Sequence, residues 1–364
     1  MTRIAICTSE ISYGDAVSND VFGMFNVLSN HNYEVCIFVE NNFVSISEVN
    51  YIQNIENIDN FISCSDDILI YHLSTGWSKG LEILTNLDCK KMIKYHNITP
   101  PDYFYGFSID HIENCKGGVE QLNIIAKLGA DLYLNDSLFN MNEMISAGSK
   151  ASKNFVVYPF NSIERLVKLK PDFNILDMYN DGKVNILSVG RIAPNKGFAD
   201  LIDVFARYHK NYNNKSRLII VGSQSPLLSA YTGYLYDRVK YLNLADCIIF
   251  TGKVSDEQLK TYYLIAKIFM MTSYHEGFCV PLVEAMSMKI PIIAYSSTAV
   301  PDTVGDAGIV WKEPDIDLIA ASINEIVTDE DVYFYLGELG WRRYKNNFTK
   351  KRVEEQFLNA ISKL

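Results

Sequence analysis

Two carboxylates stand eight residues apart in the stretch Ser273-Tyr274-His275-Glu276-Gly277-Phe278-Cys279-Val280-Pro281-Leu282-Val283-Glu284. Glu276 falls on a turn after the apolar run Ile268–Met271, at the carboxyl end of an expected strand, where open α/β sheets bind ligands. Glu284 falls inside a short apolar helix that carries Pro281 in its first turn. A carboxylate in such surroundings needs a hydrogen-bonding or cationic partner to offset its desolvation. The pair reads as a ligand site with Glu276 as its exposed member. Helix capping by Glu276 and an ion-paired Glu284 is the structural alternative.

A second constellation precedes it, Ser188-Val189-Gly190-Arg191-Ile192-Ala193-Pro194-Asn195-Lys196-Gly197. Here a strand ends, Gly190 permits a tight turn, and Arg191 and Lys196 lead into a helix near Gly197. A helix N-terminus flanked by fixed cations is an anion site. Guanidinium grips two phosphate oxygens at once and lysine adds a point charge, which suits a diphosphate. The spacing is neither a Walker A loop nor a G-x-G-x-x-G dinucleotide loop. Alone, this stretch would be better explained by solvated cations on a βα loop. With Glu276 and Glu284 on the same rim of one parallel sheet, it becomes the outline of a nucleotide-sugar site. The cations take the phosphates and the buried carboxylate takes the ribose hydroxyls.

The elements that would position these groups alternate between strand and helix along the chain, which predicts parallel, doubly wound sheets. At 364 residues the chain exceeds the size at which single cores stop growing, and two domains are expected. The first spans 1–165, with strands at 3–8, 34–40, 67–71 and 89–95 and shorter ones at 130–135 and 154–158. A polar loop at 9–18 precedes a helix from about 19 to 30. His72 and His96 stand at the ends of two of these strands, as structural or crevice-lining residues. Mixed charge and Pro171 at 166–183 read as a linker. A second domain, 184–345, restarts the alternation, and a helix within 346–364 is expected to pack back on the first. Ser255 and Gln258 form a capping-box pattern.

Composition excludes several function classes. A net charge of −10 argues against wholesale phosphate neutralisation of nucleic acid. The seven cysteines are scattered without a C-x-x-C pair, which points to reduced thiols and no zinc site. The N-terminal residues read as a strand and not as a signal peptide, and no run reaches the length of a membrane span. A cytoplasmic protein is expected.

Gly190-Arg191 with Lys196-Gly197, Phe250-Thr251-Gly252, and Glu276-Gly277-Phe278 with Glu284-Ala285 resemble the GT-B retaining glycosyltransferases of family 4, the bacterial surface-polysaccharide type above all. The likeness covers residues 184–311 closely. In the first domain it extends to Gly14-Asp15-Ala16-Val17-Ser18-Asn19 and Tyr95-His96-Asn97. It implies two Rossmann-type domains facing a cleft, and transfer of a sugar from a nucleotide-diphosphate sugar to a saccharide or lipid-linked saccharide acceptor, without a metal or other cofactor. Carried onto this chain, it makes Arg191 and Lys196 the diphosphate ligands and Glu284 the ribose ligand. Glu276 would face the donor sugar, with backbone N–H groups around Gly277, Phe278 and Cys279. Gly252, Lys253 and Val254 would cradle the base. Gly14 and Asp15 would approach the donor phosphates, and His96 the sugar hydroxyls. Cys279 departs from the small residue of many relatives and narrows the pocket. Attack from the leaving-group face, aided by a leaving-group oxygen, and a covalent glycosyl–Glu276 intermediate both remain open. A GT-B-fold epimerase or hydrolase acting on a nucleotide sugar is the alternative function.

Two further patterns have simpler readings. Asp315-Ile316-Asp317 matches a metal-holding Asp-x-Asp but precedes an apolar-periodic helix, so capping explains it better. The cations of Arg342-Arg343-Tyr344-Lys345 and Lys350-Lys351-Arg352 form a solvated face, with weak attraction to anionic lipid at the inner membrane surface as the second reading. The loops at 11–19 and 98–118 are the expected acceptor side, with Tyr103, Phe104, Tyr105 and Phe107 either stacking on a sugar or packing among themselves.

Overall fold

The computed structural model describes residues 2–44 and 51–364; Met1, which heads the expected first strand, and residues 45–50 lie outside the described residues. The chain divides into two compact units: Met1–Pro101 with Ile112–Ser162 and Lys350–Leu364, and Asp102–His111 with Ile163–Thr349.

Among the described residues the first unit holds a seven-stranded sheet, with every pairing parallel. Its strands are β1 (Arg3–Ile11), β2 (Glu34–Asn42), β3 (Ile52–Asn54), β4 (Ile68–Leu73), β5 (Lys90–Tyr95), β6 (Leu132–Asn135) and β7 (Asn154–Val156). The order is β3-β2-β1-β4-β5-β6-β7, so the chain reverses direction across the sheet between β1 and β4. Ile4, Ala5 and Ile6 are fully buried, as expected of a strand covered on both faces by helices. The helix Lys350–Ile361 spaces Val353, Phe357 and Ala360 along one face, all buried with Ile4, Val21 and Phe160. Phe357 meets the Phe160 ring edge-on at 5.9 Å.

The second unit repeats the plan among its described residues with six strands in the order β10-β9-β8-β11-β12-β13. These are β8 (Val184–Val189), β9 (Ser216–Val221), β10 (Ile248–Gly252), β11 (Ile268–Met271), β12 (Ile292–Tyr295) and β13 (Ile309–Trp311). Its reversal lies between β8 and β11, so the loops leaving those two strands part from adjacent strand ends. Ligands of doubly wound sheets bind at such a crevice. The capping box is present: Ser255 Oγ accepts from Gln258 N–H and Gln258 Oε1 accepts from Ser255 N–H, opening the helix Asp256–Ile265.

Several expectations need correction. The helix placed from about residue 19 begins at Ala16, because Asp15 caps it, and β1 runs on to Ile11 through the expected loop. Residues 166–183 are not a featureless linker. Ile163–Lys168 and Phe173–Tyr179 are helical, the latter started by the Asp172 carboxylate accepting from Asn174 and Ile175 N–H groups. The expected loop at 98–118 holds instead a helical turn, Pro101–Phe104, and the first half of a long helix, Ile109–Lys127. Strands β3 and β13, three residues each, were too short for their pattern to stand out.

Among the described residues no helix is long and apolar enough to cross a membrane. The C-terminal cations are partly neutralised where they stand: Lys350 and Arg352 pair with Glu354 and Glu355, and Arg343 donates to the Thr303 carbonyl at 2.7 Å. That arrangement favours the solvated-face reading over lipid attraction.

Candidate functional site

The loop after β8 makes one helical turn, Pro194–Lys196, and enters the helix Phe198–Asn211 through Gly197. Gly197 has φ +64°, and a Cβ there would stand 2.0 Å from the Thr272 carbonyl oxygen, so no other residue fits. Gly190 is not in the left-handed region, and a Cβ there would meet nothing closer than 4.0 Å. The glycine demanded nearby is Gly222, whose Cβ would lie 1.9 Å from the Gly190 oxygen. Gly197 has no side chain to cap this helix, and the Tyr231 hydroxyl instead accepts from its first N–H groups, those of Phe198 and Ala199.

The β8 and β11 loops are laced together. Tyr274 N–H donates to Asn195 O at 2.9 Å, Asn195 Nδ2 to His275 O at 3.3 Å, and Thr272 Oγ1 to Gly197 O at 2.9 Å. This lacing brings Lys196 to Glu276: Nζ lies 2.8 Å from both Oε1 and Oε2. Glu276 is therefore not the exposed member of the pair; its side chain is 7% accessible and Lys196 is 22%. Thr298 fixes the turn from the β12 side, its Oγ1 accepting from Glu276 N–H at 2.8 Å and donating to Glu276 O at 2.7 Å. Arg191 is exposed and makes no ion pair among the described residues.

Cys279 sits at the N-cap of the helix Val280–Ser287 with φ +70°, a conformation that side chains adopt at a cost. Its thiol is buried against Met271 Sδ at 3.0 Å, and burial raises its pKa well above the ordinary thiol value. The expected thiol in place of a small residue is thus turned into the core. Glu284 is buried, as expected, but its partner comes from within the chain: Tyr263 OH donates to Oε2 at 2.6 Å. Burial pushes the Glu284 carboxyl up to about 7, against the opposing effect of that hydrogen bond. Nothing in the spacing announced Tyr263. Gly252 ends β10 at φ +71° with open space on its Cβ side, followed by Lys253 and Val254 before Ser255.

In the first unit Gly14 has φ +82° and open space around it. Asp15, expected toward a ligand, turns its carboxylate back to accept from Ser18 N–H at 2.9 Å and Ser18 Oγ at 3.0 Å. His72 and His96, on adjacent strands β4 and β5, meet: His72 Nδ1 and His96 Nε2 are 2.8 Å apart, and His96 Nδ1 is 3.0 Å from Asp136 Oδ2. Both His96 nitrogens are thereby engaged within the unit, and its side chain is only 6% accessible. Lys94, fully buried, reaches Asp136 Oδ1 at 2.6 Å, Asp20 Oδ2 at 3.7 Å and the Val157 carbonyl at 2.5 Å. Asp20 accepts from Phe160 N–H at 2.7 Å. Burial raises the Asp20 pKa and lowers that of His72. At Asp136, burial alone would raise the pKa, but the charges of His96 and Lys94 hold it below the usual range. Besides the strand-end histidines, Lys94 interrupting the apolar run Met92-Ile93 was the sequence signal for this cluster.

Asp20, His72 and His96 offer ligand atoms within 4.8 Å of one another, the one such group among the described residues. The Lys94 ammonium beside Asp20 already places a cation there, and a second, divalent one would be repelled by it. At the Asp-x-Asp pattern, Asp315 Oδ1 accepts from Asp317 and Leu318 N–H groups, the geometry of an N-cap.

Residues 178–342 match the protein-family model described as Glycosyl transferases group 1. Arg191, Lys196, Glu276 and Glu284 all fall within the matched segment. Over 148 residues, 40% of this chain, it is 31% identical to the O-antigen chain mannosyltransferase B of Escherichia coli, and the match spans 37% of that protein. The amylovoran biosynthesis glycosyltransferase AmsD of Erwinia amylovora is 22% identical over 94% of this chain and 95% of its own length. Among solved structures, Anabaena HepE in complex with UDP-glucose superposes with a TM-score of 0.77 over 100% of both chains at 15% identity. That likeness establishes the fold as the GT-B arrangement of two doubly wound domains.

Proposed function

We propose that this chain is a retaining glycosyltransferase. It moves a sugar from a nucleotide-diphosphate sugar to a hydroxyl of a saccharide or lipid-linked saccharide, in the assembly of an O-antigen or exopolysaccharide at the cytoplasmic side of a membrane. The observation that carries this is the exposed Arg191 beside the Lys196–Glu276 pair at the β8/β11 reversal of a segment that matches the group 1 glycosyl transferases. Two fixed cations at a strand end are what a departing diphosphate requires.

In this reading Arg191 and Lys196 hold the diphosphate and stabilise the charge that develops on it. Gly190 and the turn Gly252-Lys253-Val254 flank the nucleotide. Glu284, kept in place by Tyr263, accepts from the ribose hydroxyls. Glu276 and the backbone of Gly277, Phe278 and Cys279 face the donor sugar. On the first unit, Gly14 permits close approach to the phosphates, and His96 remains a proposed sugar contact that would have to exchange its hydrogen bond with His72. Both Glu276 oxygens are engaged by Lys196, which makes them weak nucleophiles. This supports attack by the acceptor from the leaving-group face over a covalent glycosyl–Glu276 intermediate. No metal or other cofactor enters the proposed mechanism.

A thermal-shift screen of nucleoside diphosphates and their sugars tests the reading. Stabilisation by one of them is expected, with the base identifying the donor class, and no shift by any would overturn it. Donor consumption at full rate without an acceptor would point instead to a hydrolase or epimerase.

A further inference from the structure

A pocket of about 490 Å³ opens in the second unit at the carboxyl ends of β11, β12 and β13. It is separate from the diphosphate loop after β8, although Tyr274, on its wall, is two residues from Glu276. The walls are aromatic: Tyr103, Tyr274, Tyr295 and Trp311, with Ser296 and Ser297 between them. The Tyr103 and Tyr274 rings are 4° from parallel with centroids 6.1 Å apart, and Tyr295 continues the wall 6.4 Å from Tyr274. Trp311 Nε1 is buried without a hydrogen-bond partner among the described residues.

Tyr103 reaches this wall from the segment Asp102–His111, which belongs to the second unit although it lies in the first third of the chain. Phe107 anchors the segment, packing edge-on against Tyr231 at 5.1 Å, and Tyr103 OH donates to Tyr274 O at 3.3 Å. The expected alternatives for these aromatics therefore divide by residue: Phe107 packs, whereas Tyr103 keeps a ring face on the pocket.

Flat amphipathic rings, hydroxyls and an indole N–H suit a ligand that is apolar on its faces and polar around its rim. A pyranose has that form: its C–H faces lie on aromatic rings while its hydroxyls exchange hydrogen bonds at the edge. A phosphate would find only the exposed Lys312 among these lining residues, and a wholly apolar ligand would leave the indole N–H unpaired.

We propose that this pocket binds a pyranose ring of the saccharide acceptor, through Tyr103, Tyr274 and Trp311. The acceptor role rests on the transferase reading; the saccharide binding itself does not. The test is saturation-transfer NMR on the full chain with millimolar methyl α-D-mannopyranoside and methyl α-D-glucopyranoside, alongside thermal shifts with UDP and GDP. At least one glycoside is expected to receive saturation at its ring C–H protons. Tyr103→Ala should weaken it ten-fold or more without changing the nucleotide shift. Trp311→Phe, which keeps a ring but removes the N–H, should weaken it about three-fold and serves if Tyr103→Ala loses its cooperative melt. Absence of transfer from wild type to both glycosides, or equal binding by wild type and a folded variant, would overturn the proposal. Glycoside binding without any nucleotide shift would uphold the pocket and overturn the transferase reading.

Discussion

Each unit places a charged cluster at the carboxyl ends of parallel strands, and the two clusters are built to opposite ends. In the first unit Lys94, Asp136, Asp20, His96 and His72 pair with one another out of reach of solvent, with His72 Nε2 left without a hydrogen-bond partner among the described residues. In the second, Lys196 pairs with Glu276 but keeps 22% of its side chain accessible, and Arg191 is exposed. Internal neutralisation makes the first cluster part of the folding energy. The positive charge left over is what supports the proposed anion site in the second. Position at a strand end is thus not enough to assign function; the charge left over after internal pairing decides.

The contrast can be broken by substitution. Lys94→Met should be the costliest change, lowering stability by about 3–5 kcal/mol in denaturant titration, because it leaves two carboxylates buried without their cation. A loss below about 1 kcal/mol would show that the cluster is not internally compensated. Lys196→Ala should do the reverse: donor turnover falls by about 10²–10³-fold while the melting temperature stays within a few degrees, with Arg191→Ala similar. Near-wild-type transfer by both variants would sink the assignment.

Glu284 supplies a pH test. Its carboxyl is pushed up to about 7 in the folded chain from an ordinary value of 4.5, so folding favours the protonated form. The contribution is fully present below about pH 4.5, is lost as the pH rises to about 7, and is flat above; the wild type should lose about 3 kcal/mol across that window. Glu284→Gln should flatten this part of the stability profile and weaken nucleotide binding, whereas Glu276→Ala should mainly slow transfer. Asp15→Ala is expected to have the smallest effect, costing about 1 kcal/mol as a lost N-cap and leaving donor affinity unchanged. A marked fall in donor affinity would restore Asp15 as a ligand contact.

Much of this was legible along the chain. Strand–helix alternation gave two doubly wound sheets, because apolar runs and amphipathic periods are local signals. The capping box at Ser255, the N-cap at Asp315 and the apolar burial of Glu284 followed from neighbouring residues. Other features had no local signature. Tyr263 reaches Glu284 from another helix, Asp136 reaches His96 from the end of the next strand, and the segment holding Tyr103 joins a unit that resumes only at Ile163.

By itself, then, the sequence determined which residues are cations, carboxylates and turn formers, which strand ends carry them, and that the region 184–311 resembles a nucleotide-sugar transferase. Only the tertiary structure decided which charges are spent on one another. Lys196 proved to be held by Glu276, His96 by His72 and Asp136, and Asp15 by its own helix. The reason is physical: residue type and period act over a few neighbours, whereas desolvation and ion pairing depend on which side chains the folded sheets bring within hydrogen-bonding distance.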